Sequence, residues 1–275
     1  MELRELSAKE LTTIGIGSSY PVYFPENLEE LRSLLKNEDV IVIGGGSNTV
    51  LPERLEKKLF SLEKFKKLSL EGDRLTVGAG VRLRELLAFQ IRKGFSLFEF
   101  LAGIPKATVG GLVAQNAGAF GREVKERLIE VKFLSKETLQ LEVLRDFSGF
   151  GYRQSPFPEI GVIVEVTFKV SPSQRVKEEV KKFVKLRLKK QPPFYLRTAG
   201  STFKNPPGSS AGRLLDLAGL KGFRVGGVRF SELHANFVVN EGGSFGEFVL
   251  LVETGRKKVR ELFGVDLELE VKLLP

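Results

Sequence analysis

The run Asp39-Val40-Ile41-Val42-Ile43 stops abruptly at Gly44-Gly45-Gly46-Ser47-Asn48-Thr49. A short apolar, β-branched stretch bounded by turn residues reads as a buried strand. Three successive glycines then let consecutive backbone N–H groups turn into one concavity suited to phosphate. A dinucleotide-binding fingerprint would need a third, spaced glycine leading directly into a helix. Thr49 occupies that position and Pro52 follows closely, so this reading is rejected. The P-loop is rejected as well, because no Gly-Lys-Ser/Thr follows. Two readings remain: a phosphate cradle, or a glycine turn that holds no ligand.

Around this loop the chain alternates strand and helix patterns. Asn27 stands three residues before Glu30, with Leu28, Leu31, Leu34 and Leu35 on one face, the pattern of a capped helix. A second helix is expected around 82–93, presenting Leu83, Leu86, Leu87 and Ile91 and stopping at Gly94. Residues 127–145 read as a hairpin and 160–170 as an alternating strand. The Ser171-Pro172-Ser173 step is the expected domain boundary. Beyond it lie a basic helix with Val176, Val180, Phe183 and Val184 on its apolar side, and a helix opened by the Ser244/Glu247 capping box. A last strand over 266–274 would turn Leu267, Leu269, Val271 and Leu273 one way, and Glu268, Glu270 and Lys272 the other. At 275 residues, two domains are expected rather than one, in an α+β arrangement divided near residue 171.

Composition narrows the chemistry. There is no Cys and a single His, which removes disulfides, iron–sulfur clusters, cysteine nucleophiles and multi-histidine metal centres; no metal site is expected. No apolar run approaches ~18 residues, so no membrane span is expected. The charged start Met1-Glu2-Leu3-Arg4-Glu5-Leu6 does not read as a signal peptide, which points to a cytoplasmic protein. Abundant Lys, Arg and Glu beside one Met and 13 Asn plus Gln resemble thermophile usage. The formal charge of +9 is uneven: residues 174–190 hold eight basic and two acidic side chains. Charge of that kind fits nucleic acid, an anionic surface or an acidic small molecule.

A second glycine-rich stretch runs from Ile104 and Pro105 through Lys106, Gly110, Gly111, Gln115, Asn116, Ala117 and Gly118 to Gly121. Its small residues let backbone lie against a flat ligand while Gln115 and Asn116 supply directional hydrogen bonds; tight helix packing is the alternative. Two such loops in one half of the chain favour a large nucleotide cofactor. Gly208-Ser209-Ser210-Ala211-Gly212 matches the hydrolase elbow, but Pro206-Pro207 precedes it where a buried strand is required. Its serines are expected to cap the helix containing Leu214, Leu215 and Leu217. His234 lies beside an apolar strand, where a hydrogen-bonded structural role is the alternative to a site. The basic helix lacks the aromatic platform of a nucleic-acid binder, so no nucleic-acid partner is expected.

Taken in order, the stretches GGGSN, VGAGVRLREL, IP..TVGG...NAGAFG, YRQSPF, KKQPP, AGSTFKNP, AGRLLDLAGLKG, HANFVVN and ELEV resemble the UDP-N-acetylenolpyruvoylglucosamine reductase family over nearly the whole chain. The resemblance is to the shorter family type, which lacks an extra substrate-covering loop. It implies an FAD-binding domain of the vanillyl-alcohol-oxidase type over 1–170, in two subdomains split near 68. A substrate-binding domain would follow over 171–275. It implies non-covalent FAD, held by Gly44, Gly45, Gly46, Ser47, Asn48, Thr49, Ile104, Pro105, Gly110, Gly111, Gln115, Asn116, Ala117, Gly118 and Ile163. NADPH is the implied co-substrate, and UDP-N-acetylglucosamine enolpyruvate the implied substrate, reduced to UDP-N-acetylmuramate for peptidoglycan synthesis by a monomer. Ser201 matches the family's proton donor, and Arg153 and Glu270 the groups near the substrate carboxylate. Tyr152, Arg153, Lys190, Lys204, Asn205, His234 and Lys272 are the implied substrate contacts. The chain departs from the family at Phe120 (usually Tyr), Lys106 (commonly Gly) and Lys272 (typically Arg). Two other function classes make different demands. A flavin oxidase or dehydrogenase on the same fold often tethers its flavin through His or Cys, and a basic RNA-binding protein would be colourless.

Overall fold

The structure is a computed structural model that describes residues 1–37 and 39–274. It comprises two compact units, each assembled from three chain segments. The first holds Met1–Arg4, Pro21–Gly45 and Lys57–Lys185; the second holds Glu5–Tyr20, Gly46–Glu56 and the chain from Leu186 onward. The division falls inside the helix Val176–Lys190 and not at the Ser171-Pro172-Ser173 step. That step is itself a short strand, Ser171–Pro172, paired antiparallel with Phe95–Ser96. Its proline therefore marks a sheet edge within the first unit.

In the first unit, Lys58–Phe60 lies between Ser19–Phe24 and Val40–Val42, parallel to both. Parallel neighbours need a crossover, and the helix Leu28–Asn37 supplies it, burying Leu31 and Leu34. Its start is capped as the sequence indicates, the Asn27 Oδ1 accepting the Glu30 N–H at 3.0 Å. A second sheet begins at Leu68. It is antiparallel throughout, with Leu141–Leu144 at one edge, then Leu128–Ser135, Gly161–Lys169, Arg74–Gly78 and Leu68–Glu71. The expected hairpin over 127–145 is the first pair of these strands. The strand expected over 160–170 is the centre of the sheet, and its alternation breaks. The register with Leu128–Ser135 shifts between Lys132 and Phe133, and Ile163 and Thr167 are buried along with Val162, Val166 and Phe168. A central strand covered on both faces has no solvent side to alternate toward. The helix Leu83–Lys93 ends at Gly94, whose φ of 72° closes it in the left-handed conformation.

In the second unit, Arg197–Ser201, Phe237–Asn240, Val228–Phe230 and Arg224–Val225 form an antiparallel sheet in that order. The helix Phe245–Phe263 opens with the expected box. Ser244 Oγ accepts the Glu247 N–H and the Glu247 carboxylate accepts the Ser244 N–H at 2.8 Å. Phe203, Phe230, Phe248, Leu251, Leu215 and Val259 make the core of this unit. Ser210 caps Ala211–Leu217, so the elbow-like glycine–serine motif is a helix start and not a nucleophile turn.

The C-terminal segment differs from the expected continuous strand. Only Lys272–Leu273 is strand, parallel to Thr49–Val50, with an isolated bridge from Leu269 to Phe203. The alternating burial survives, with Leu267 and Val271 buried and Glu268 and Lys272 exposed. What periodicity leaves open is the change of partner: the segment pairs first with 202–204 and then with 48–50.

Candidate functional site

Local chemistry explains how the first unit presents its two glycine loops. Ile43 ends the strand by donating to the Phe60 carbonyl at 2.8 Å, and the glycines then run over residues 106–108. A Cβ on Gly45 would stand 1.6 Å from the Lys106 oxygen, and one on Gly44 would stand 2.7 Å from the Thr108 Oγ1 and 3.9 Å from the Gly111 Cα. Only glycine backbone fits that approach. Thr108 Oγ1 also accepts the Gly111 N–H, capping the helix Val109–Ala114. Gly110 N–H bonds the Ala79 carbonyl at 2.9 Å, pinning this helix to the end of Arg74–Gly78. Arg82 Nη1 holds the Lys106 carbonyl at 2.7 Å.

Gly44 and Gly111 are thus exposed, side by side and without side chains. Among the described residues, no hydrogen bond within the chain uses the N–H of Gly44, Gly45 or Gly46. Buried N–H groups lacking a partner are rare, and Gly45 and Gly46 are buried. A cradle of bare backbone with unpaired donors suits the anionic diphosphate and flat ring of FAD. Ile104 and Pro105 lie next to this approach, and Gln115, Ala117 and Gly118 are part-buried just past the helix. Ile163, only 5% exposed, is packed in the sheet opposite Phe133. Asn116 is fully buried and its amide is spent on Glu123, Gly151 and Lys125.

Tyr152 and Arg153 sit at the tip of a tight turn closed by Gly151 and Gln154. Arg153 Nη2 donates to the Gly118 carbonyl at 2.8 Å, and its guanidinium lies 4.8 Å from the Tyr152 ring centre.

The second unit brings together Ser47, Asn48, Thr49, Ser201, Glu270 and Lys272. Gly200, next to Ser201, has φ +78° and faces the Ser47 carbonyl. The pairing of Arg197–Ser201 with Phe237–Asn240 shifts register between Thr198 and Ser201, so Ser201 emerges from an irregular strand end. The Thr202 carbonyl accepts the N–H groups of Glu270 (2.9 Å) and Val271 (3.3 Å). Asn48 Nδ2 donates to the Glu270 carbonyl at 2.9 Å, and the Lys272 N–H donates to the Asn48 carbonyl at 2.9 Å. Glu270 is therefore fixed from both sides at the point where the C-terminal segment changes partner. Lys204 pairs with Glu268 at 3.1 Å, and Asn205 Oδ1 accepts the Ala211 N–H at 3.1 Å. Lys190 ends its helix exposed. His234 is part-buried, its Nδ1 accepting the Asn236 N–H at 3.3 Å beside the Phe237 ring. Burial holds its pKa below the usual histidine value, so the ring is neutral with Nε2–H as its donor.

Sequence reasoning passed over three supports. Arg82 holds the carbonyl beneath Gly45. Thr13 Oγ1 donates to the Thr198 carbonyl at 2.7 Å, below the Ser201 strand. The buried Asn236 amide takes both the N–H and the C=O of Phe203. Arg82 and Asn236 lie inside the VGAGVRLREL and HANFVVN stretches; Thr13 carries no local signal.

Two family models match the chain. The FAD binding domain family matches residues 21–141, and the C-terminal domain of UDP-N-acetylenolpyruvoylglucosamine reductase matches residues 191–274. A UDP-N-acetylenolpyruvoylglucosamine reductase from Aquifex aeolicus is 41% identical, over 99% of this chain and 95% of that one. One from Streptococcus pneumoniae (strain JJA) is 37% identical, over 98% and 92%. The crystal structure of UDP-N-acetylenolpyruvylglucosamine reductase from Thermus caldophilus superposes with a TM-score of 0.86 at 35% identity, covering 100% of both chains. With its glycine cradle inside a matched FAD-binding domain and full-length relatives of one kind, the chain is an FAD-containing oxidoreductase of the UDP-N-acetylenolpyruvoylglucosamine reductase family.

Proposed function

We propose that the protein reduces the enolpyruvyl group of UDP-N-acetylglucosamine enolpyruvate to UDP-N-acetylmuramate, with NADPH as the source of reducing equivalents. FAD held by this chain would supply hydride transfer from the nicotinamide to the enol ether. The backbone of 44–46, 104–105 and 110–118 holds the cofactor. Ser201 Oγ–H donates a proton to the carbon beside the substrate carboxylate. A serine is a weak acid, but its acceptor here is a strongly basic enolate, so placement matters more than acidity. Arg153 and Glu270 stabilise the charge that develops on that carboxylate, the kind of fixed electrostatic support that usually dominates catalysis. Tyr152, Lys190, Lys204, Asn205, His234 and Lys272 contact the nucleotide sugar. Lys272 keeps a positive charge without the fork of an arginine. The enzyme works as a cytoplasmic monomer and needs neither nucleic acid nor membrane.

The observation that carries this reading is the double anchoring of the Glu270 backbone, by Asn48 and by Thr202, the residue that follows Ser201 in the chain. Two groups of a proton-transfer site need that kind of fixed backbone. Ser201→Ala tests it in single-turnover experiments on the two half-reactions. Reduction of the flavin by NADPH should stay near the wild-type rate, while reoxidation by the enolpyruvyl substrate slows by about a hundredfold or more. Equal damage to both half-reactions would make Ser201 structural and sink its role as donor.

A further inference from the structure

Arg153 stands in a conformation that its own turn does not favour. Gly151 and Gln154 exchange backbone hydrogen bonds (3.1 and 3.2 Å), and Arg153 between them has φ +56°. A non-glycine residue persists there only where its surroundings impose it. Those surroundings come from one segment, residues 114–125. Lys125 Nζ donates to the Phe150 carbonyl at 3.1 Å, and Asn116 Nδ2 to the Gly151 carbonyl at 2.9 Å. Ser155 Oγ donates to the Ala114 carbonyl at 2.6 Å, and Arg153 itself to the Gly118 carbonyl at 2.8 Å. The turn is held at both feet and at its tip.

One side chain ties the middle of this clamp together. Glu123 Oε2 accepts the Asn116 Nδ2–H at 3.0 Å and lies 3.6 Å from the Lys125 Nζ. Asn116 is 0% exposed, and its Oδ1 accepts the Lys125 N–H at 3.0 Å, so its amide is fully committed. Gly118 makes room for the arrangement. A Cβ there would stand 3.0 Å from Arg153 Nη1 and 3.1 Å from Glu123 Cγ.

We infer that Glu123 is a positioning residue for Arg153. Its carboxylate fixes the Asn116 amide and the Lys125 ammonium, and these two groups hold the carbonyls of the turn that aims the guanidinium. The clamp includes residues 115–118, so the arginine's orientation is tied to the conformation of the proposed cofactor segment. This inference rests on the role proposed for Arg153. The FAD-loaded enzyme distinguishes the two in stopped-flow measurements of both half-reactions, with FAD affinity and thermal midpoint measured alongside. Glu123→Ala should slow reoxidation by the enolpyruvyl substrate about tenfold, since a small misplacement of a fixed group has effects of that order or more. Reduction by NADPH and FAD affinity should stay near wild type, while the thermal midpoint falls by about 2–4 °C because the buried Asn116 N–H loses its acceptor. Glu123→Gln, which keeps an acceptor for Asn116, should restore most of the rate. Lys125→Met, which frees the Phe150 carbonyl, should slow the same step. Arg153→Ala serves as the reference. If it slows reoxidation while Glu123→Ala does not, the inference is overturned and the role of Arg153 stands. If Glu123→Ala releases FAD or slows both half-reactions alike, Glu123 is merely structural and the inference is overturned. An unchanged Arg153→Ala overturns the role of Arg153 and this inference with it.

Discussion

Gly45→Ala puts the close approach of the two glycine loops to a quantitative test. The new methyl group would stand 1.6 Å from the Lys106 oxygen and 2.4 Å from its carbonyl carbon. Ordinary contact begins at 3.4 Å, so the carbonyl must withdraw by roughly 1.8 Å. It has little freedom to do so. Arg82 Nη1 holds that oxygen at 2.7 Å, the Ala107 carbonyl accepts the Leu83 N–H at 2.8 Å, and Val109 donates to the Val81 carbonyl at 2.9 Å. Lys106 already sits at φ +56°. Overpacking a rigid contact costs about 3 kcal/mol, the upper part of the usual range. In a chain of this size that lowers the thermal midpoint by on the order of 5–10 °C. The cradle would open at the same time, so FAD affinity should fall about tenfold or more. Gly149→Ala is the control, because its Cβ would meet nothing within 4 Å and its φ lies outside the left-handed region. Differential scanning fluorimetry and FAD titration of the apoprotein read both effects. If Gly45→Ala and Gly149→Ala behave alike, the close-approach argument is wrong.

Further predictions concern charge and protonation. Glu165, with its side chain 14% exposed, accepts from Lys132 and Lys67 at 2.8 Å each. Burial raises its carboxyl pKa, but the two lysine hydrogen bonds outweigh that and hold it below the usual value. A depressed carboxylate stabilises the fold above its unfolded pKa and loses that contribution as pH falls through the folded one. Glu165→Gln should therefore cost about 1–2 kcal/mol at neutral pH, and the difference from wild type should shrink as pH falls below 4.5 through the folded value. His234 is lowered by burial, so the unfolded chain holds more protons between its folded pKa and 6.5. Its contribution is complete above pH 6.5 and is lost as pH falls from there through the folded value. The single imidazole should titrate by NMR with a midpoint below 6.5; a midpoint above 6.5 would contradict the buried, neutral assignment.

Much of the fold was legible because its signals are local. The Asn27 cap, the Gly94 stop and the Ser244/Glu247 box each involve residues within four positions of one another, and each forms as the sequence indicates. What depends on distant partners was not legible. The Asn116 amide bonds Gly151, 35 residues away. Asn48 meets Glu270 across 222 residues. Hydrophobic alternation over 266–274 foretold burial correctly, but it cannot specify that the segment pairs with 202–204 and then with 48–50. The division of the units inside a continuous helix is also invisible to periodicity, because Val176–Lys190 keeps its helical pattern across residues 185 and 186.

The most direct test of the proposed activity is the visible absorption spectrum of the FAD-loaded protein under anaerobic conditions. NADPH is added first, and then UDP-N-acetylglucosamine enolpyruvate. The account predicts oxidised-flavin bands that bleach with NADPH and return in full when the enolpyruvyl sugar is added. Bands that bleach and stay bleached would show that this sugar is not the electron acceptor, and would contradict the proposed function.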